Sequence, residues 1–304
     1  MAVYVVGDFL RETRLRKGYT QEEVSYGICT TASLSRIENG AQKPGRLILE
    51  KLFERLGTEN NLFNSFVSRE EMELYSAIQE LVRNITDDDV VKIEKQIDVV
   101  EKLAVNTTEL EHQCLYFAKG ELARQKEKDD KKAMEMYMKA IHITLPDFDG
   151  KNPLRNNLLT FDEIMIINAI AILHAKADDI MTAVQLGMWL KKYMEEKIVD
   201  GTMKIAKYPM ILYNLSNWLG RENCHKEALK MADLGIRFCI RYGNLAFFPI
   251  LVFNKGGALA ELGKIDQAKK YLHQSVTIFE AMDRPDLIQV ATDWCKLHYR
   301  IDIQ

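Results

Sequence analysis

The side chains best placed for chemistry in this 304-residue sequence suit recognition and not bond making. Arg36 carries a planar guanidinium fork that can donate two parallel hydrogen bonds to one acceptor pair. Much later, Asn214 and Asn254 stand at one place in consecutive repeats, each fourteen residues before an alanine (Ala228, Ala268). An asparagine amide donates and accepts together, so it matches a peptide bond. A peptide backbone group buried without such a partner costs about 1–3 kcal/mol. Enzyme patterns are missing: there is no glycine-rich phosphate loop and no nucleophile–base pairing. The six histidines never take an H-E-x-x-H or similar spacing, so neither a metal site nor a cofactor is expected. Five scattered cysteines, an odd count without C-x-x-C, argue against a disulfide framework or zinc module and fit a reducing cytosol.

The elements that must position these groups are helices throughout, so the expected class is all-α. Phe9, Leu10 and Leu15 form an apolar stripe ending at Lys17-Gly18, and glycine suits a helix C-terminus. Thr20 with Glu23 reads as a capping box opening a second helix. Thr30 caps a third, which carries Leu34 and Ile37 and stops at Asn39-Gly40. Pro44 precedes a fourth, with Leu47, Leu49, Leu52, Phe53 and Leu56 inside and Gly57 at its end. Residues 58–71 read as a linker holding a short apolar helix, Leu62–Val67. Asp87–Asp89 reads as a turn before an amphipathic helix, Val90–Leu103.

From about Met72 the chain repeats. Alanines at Ala133, Ala183, Ala228 and Ala268 are followed seven residues on by Ala140, Leu190, Gly235 and Ser275. Twelve residues before three of them stands a small residue, Ala171, Ser216 or Gly256; Gly120 joins the set if the Glu127–Asp130 turn holds one extra residue. The division expected is residues 1–66 and 67–304. Net charge is −3 for the whole chain but +1 for residues 1–66 and −4 for the rest. No stretch approaches the roughly 20 apolar residues of a membrane span, and no secretory leader is visible. A cytoplasmic protein is expected.

Residues 20–40, TQEEVSYGICTTASLSRIENG, with the preceding LRETRLRKG and the following PGRLILEKLFERLG, resemble the helix-turn-helix of the Xre/Cro/phage-repressor family over about residues 7–57. The resemblance implies that the third helix enters the major groove of double-stranded DNA with Thr31, Ala32 and Arg36 on its exposed side. It puts Gln21 on a phosphate through its side chain and backbone N–H, and Asn39, Lys43 and Arg46 on the next phosphates. Thr30 caps the helix at the interface, and Ser33 and Ser35 suit backbone or phosphate partners better than bases. Arg14 and Glu38 resemble a pair that ties the first helix to the end of the reading helix. The usual turn reads like A-G-V-S; here Gly27-Ile28-Cys29-Thr30 follows a second helix one residue shorter, which leaves the register of Thr31 and Ala32 open.

The repeats resemble tetratricopeptide units, which stack into a superhelix with a concave groove; an irregular helical bundle is the alternative. A head of this type before such repeats resembles the Rgg/PlcR-type (RRNPP) peptide-responsive regulators of Gram-positive bacteria. That implies a short signalling peptide in the groove and a homodimer on a near-palindromic operator. Candidate peptide contacts are Asn168, Met210, Tyr213, Asn214, Asn217, Ile250, Phe253 and Asn254, with Met165 and Ile172 as further liners; Arg155, Lys207 or Arg237 could meet a carboxylate. Helices near 72–105 or the C-terminal helix around Trp294 could form the dimer interface. A ligand-independent repressor and a repeat scaffold without promoter activity remain open.

Overall fold

The computed structural model describes residues 6–58, 69–86, 89–104, 109–154, 158–197, 199, 201–301 and 303, and among these every regular element is helical. The head consists of α1 (Val6–Arg16), α2 (Gln21–Ser25), α3 (Thr31–Glu38) and α4 (Arg46–Arg55). The starts of α2 and α3 each have a local cause. The Thr20 side chain accepts from the Glu23 N–H, and the Thr20 N–H donates to the Glu23 carboxylate at 2.7 Å, the capping box expected. Thr30 Oγ1 accepts from the Ser33 N–H at 3.1 Å and opens α3. Inside lie Leu10, Val24, Leu34, Ile37, Leu52, Phe53 and Leu56, all nearly or wholly removed from water. The expected helix Val90–Leu103 is present with those ends. The expected helix Leu62–Val67, Asp87 and Asp88 of the expected turn, and Arg155 lie outside the described residues.

The chain divides into two compact units, Met1–Leu173 with Ile198–Asp200, and His174–Lys197 with Gly201–Gln304. The expected boundary at 66/67 falls inside the first unit and is not this division. The first unit holds the head with α5 (Arg69–Thr86), α6 (Val90–Leu103), α7 (Glu109–Leu122), α8 (Asp130–Thr144) and α9 (Phe161–Lys176) as far as Leu173. Helix α4 meets both α5 and α7, and Leu110 and Leu158 complete the head's own apolar cluster. The turn between α2 and α3 is held equally closely. Gly27 has φ +67°, and a Cβ there would lie 2.0 Å from the Thr144 carbonyl oxygen, so no side chain fits.

The second unit contains α10 (Ile180–Glu196), α11 (Gly201–Arg221), α12 (His225–Tyr242), α13 (Phe248–Glu261), α14 (Ile265–Ala281) and α15 (Pro285–Trp294). Helices α11 and α12 form one hairpin, α13 and α14 the next. The small residues that defined the repeat sit at these contacts: Ala228 and Ala268 are buried, and a Cβ on Gly256 would fall 2.7 Å from the Leu272 side chain. Ser216 takes the equivalent place in the earlier hairpin and donates to the Ala228 carbonyl at 2.9 Å. In the first unit Gly120 lies under Tyr137 of the α7–α8 hairpin. The extra residue of that hairpin is not in the Glu127–Asp130 turn, as expected, but upstream: Ala123–Glu127 form a π-helical turn, which takes one more residue per turn. Among the described residues no helix is long and apolar enough to cross a membrane.

Candidate nucleic-acid and ligand interfaces

On α3, Leu34, Ile37 and Glu38 turn inward, so Thr31, Ala32 and Arg36 are left exposed on the outer face. The guanidinium of Arg36 is therefore outside the head. Its Nε donates to Gln42 Oε1 at 3.2 Å and its Nη2 to Ser33 Oγ at 3.4 Å. Thr30 Oγ1 donates to Ser33 Oγ at 2.9 Å. Ser33 and Ser35 are half-buried, and Lys43 is exposed in the loop after α3.

The helix is held at its far end by ions. Arg14 donates through Nε and Nη2 to the two oxygens of Glu38, at 2.6 and 2.8 Å, and through Nη1 to the Tyr19 carbonyl at 3.0 Å. Burial pushes the Glu38 carboxyl up, but the hydrogen bonds from Arg14 and Gln21 outweigh it, and the group lies below its ordinary value. Three expected phosphate ligands have contacts within the protein. The Gln21 amide donates to Glu38 at 2.8 Å, and its backbone N–H is at the first position of α2. Asn39 ends α3 and accepts from Arg11 at 3.5 Å. Arg46 stacks on the Tyr75 ring, 3.8 Å from its centroid, because α5 packs beside the start of α4.

Beneath the head, a second ionic cluster joins α4 to the start of α9. Lys51 lies 2.8 Å from Asp162 and 3.2 Å from Glu54, and Arg55 lies 2.8 Å from Glu163 and also donates to the Tyr26 carbonyl. Glu54 accepts from the Phe161 N–H at 2.9 Å, so a head carboxylate occupies the N-terminus of α9. Burial, followed by the neighbouring Asp162 and Glu50 against the pull of Lys51, pushes the Glu54 carboxyl up to about 7. Nothing in the linear spacing announced this cluster, since its members lie more than a hundred residues apart.

In the second unit, α11, α13 and α15 enclose a pocket of about 560 Å³, within the range of small-ligand sites. Five of the eight candidate peptide contacts line it: Tyr213, Asn217, Ile250, Phe253 and Asn254. Asn217 is exposed, and Asn254 donates to the Tyr213 carbonyl at 3.3 Å. Asn214 is not a liner. It is buried one position on from Tyr213, because the open stripe of α11 runs through residues 213 and 217, one helical turn apart. Met210 is half-buried outside the pocket, and Asn168, buried, belongs with Met165 and Ile172 to α9 in the first unit. Lys207 is buried and Arg237 exposed on α12; neither lines the pocket. The sequence reading missed the polar end, where Arg221 is anchored on the Ala175 carbonyl at 2.9 Å and His225 stands 4.0 Å from Glu261. Trp294, on one of the two helices offered for a dimer interface, also lines this pocket.

A helix-turn-helix domain family matches residues 5–66. The uncharacterized HTH-type transcriptional regulator YqaF of Bacillus subtilis (strain 168) is 38% identical over 63 residues, which are 20% of this chain and 83% of that protein. This chain belongs to the HTH-type transcriptional regulators. The regulator acts on DNA by binding, without catalysis. Its fold beyond the head is also shared. Bacillus thuringiensis PlcR in complex with the peptide PapR7 and DNA superposes with a TM-score of 0.60 at 18% identity, over 94% of the regulator and 98% of that chain. Apo PlcR gives 0.59 at 16% identity, over 95% and 98%, and apo ComR from Streptococcus vestibularis 0.51 at 14%, over 96% and 97%. The expected architecture, a helix-turn-helix head followed by helical repeats, is thus the one observed.

Proposed function

We propose that the regulator reads a near-palindromic duplex as a homodimer, with α3 of each copy in the major groove and Arg36 directed at base edges. The observation that carries this is the split of α3 into a packed side and an exposed side holding Thr31, Ala32 and Arg36, with Arg14–Glu38 fixing the helix end. One such head covers half a site, so two-fold symmetry is the economical way to read a whole one. We further propose that a short signalling peptide in the pocket among α11, α13 and α15 controls DNA binding. The pocket supports this through its amides and aromatic faces, and PlcR, which shares the fold, has been seen with PapR7 and DNA together. In this reading residues 1–66 read DNA and 67–304 sense the peptide and dimerise, inside the cytoplasm.

The decisive test is titration of a specific and a scrambled duplex over a range of salt. A base-reading head separates the two, and counterion release makes both affinities fall steeply with salt. Equal affinity for the two duplexes refutes the base-reading role, and no salt dependence favours a scaffold. Calorimetry with a peptide encoded beside the gene separates a peptide-controlled regulator from a ligand-independent repressor.

A further inference from the structure

The geometry points to Gln42 as the residue that positions Arg36 for base reading, so that the two side chains form one specificity unit. This rests on the proposal that α3 lies in the major groove. The chain leaving α3 turns back on itself: Gly40, at φ +70°, donates to the Ile37 carbonyl at 3.1 Å, and Ala41 and Gln42 both donate to the Arg36 carbonyl, at 2.8 and 3.2 Å. Gln42 is therefore tethered by its backbone to the residue it serves. Its side chain closes a second link, accepting from Arg36 Nε at 3.2 Å.

On the other side, Arg36 Nη2 reaches Ser33 Oγ at 3.4 Å, and Ser33 is itself held by the N-cap Thr30. The guanidinium is thus supported along its Nε edge, while Nη1 and the remaining Nη2 hydrogen are left for an acceptor pair such as guanine O6 and N7. A long, mobile side chain starts from an ordered geometry, which lowers the entropic cost of binding. The neutrality of Gln42 also matters. A carboxylate would hold the guanidinium more strongly but would repel the phosphates that flank a reading helix, and among the described residues no carboxylate pairs with Arg36. The sequence reading assigned Gln42 nothing, because only the return path of the loop brings it beside Arg36.

Selection from a library of randomised duplexes, run with the full chain, tests this. The unmodified protein is expected to enrich a guanine at a fixed place in each half-site, and Arg36→Ala to lose it. Gln42→Ala is expected to weaken discrimination at that one position by about tenfold, with the other positions unchanged. Gln42→Glu keeps the acceptor for Nε, so it retains the guanine preference while overall affinity falls. Gln42 is exposed, and thermal melting of each variant checks that the fold is kept. Undiminished discrimination by Gln42→Ala overturns the proposal, as does an equal loss at every position, which marks a simple phosphate contact. If the unmodified protein enriches no sequence, or Arg36→Ala keeps the guanine, the underlying placement of α3 fails first and this inference with it.

Discussion

Arg36 and Glu38 lie two residues apart on one short helix, yet one reaches solvent and the other is almost wholly enclosed. Their substitutions therefore differ in kind. Arg36→Ala is expected to cost about 1–3 kcal/mol of specific DNA binding, measured by fluorescence anisotropy, with melting unchanged. Glu38→Ala strands a buried Arg14 and should remove about 3–5 kcal/mol of stability, seen as a lower denaturation midpoint. Because the Glu38 carboxyl lies below its ordinary value in the fold, its contribution is complete above pH 4.5 and is lost as pH falls through the lowered value. In the pocket, replacing Asn217 and Asn254 together by alanine is expected to weaken peptide affinity and leave unliganded DNA binding alone. Unchanged titration calorimetry would remove the pocket assignment. At this scale short-range helix geometry revealed the caps of Thr20 and Thr30, and the resemblance to the helix-turn-helix family revealed Arg14 with Glu38. The sequence did not show the contacts of Gln21 with Glu38 and of Arg46 with the Tyr75 ring, because those partners come from other elements. Asn214 and Asn254 share a repeat register, but the pocket opens on one side of each helix, and equal register did not give equal surroundings.

Among elements, the contact of α4 with α9 carries the clearest dependence on pH. A carboxyl raised to about 7 in the fold resists ionisation there, so raising pH from its ordinary value of 4.5 through 7 weakens the packed state. Glu54→Gln removes the charge and is expected to flatten the pH dependence of the urea midpoint across that window; an unchanged slope would mean Glu54 is not its source. The hairpins respond to volume instead. Gly256→Val drives atoms into Leu272 and should destabilise by about 1–3 kcal/mol. Helix starts, stops and small-residue contacts were legible because each depends on nearby residue types. The π-helical turn at Ala123–Glu127 was legible only as a surplus residue, since a count along the chain locates an insertion to within a turn and does not say which hydrogen bonds absorb it.

For the whole molecule, the expected division at 66/67 coincides with the end of the helix-turn-helix family match, residues 5–66, whereas the compact units follow long-range packing. The head has the composition and motif of a self-contained DNA-binding module, and in YqaF the matched stretch makes up most of the protein. Here the compact unit that includes it continues to Leu173. The reason lies in long-range pairs such as Arg55 with Glu163, which no local pattern encodes. Sedimentation of the full chain with and without operator DNA is expected to report two copies per duplex; one copy per duplex would remove the symmetric reading.

Gly27 shows what this integration entails. Its missing side chain is the space into which the Thr144 carbonyl fits, so the position was shaped by a helix more than a hundred residues away. The reading module is accordingly not portable. Grafted onto a foreign partner, it would present a bare glycine notch, a Lys51 that keeps Glu54 but lacks Asp162, and an Arg55 without its carboxylate.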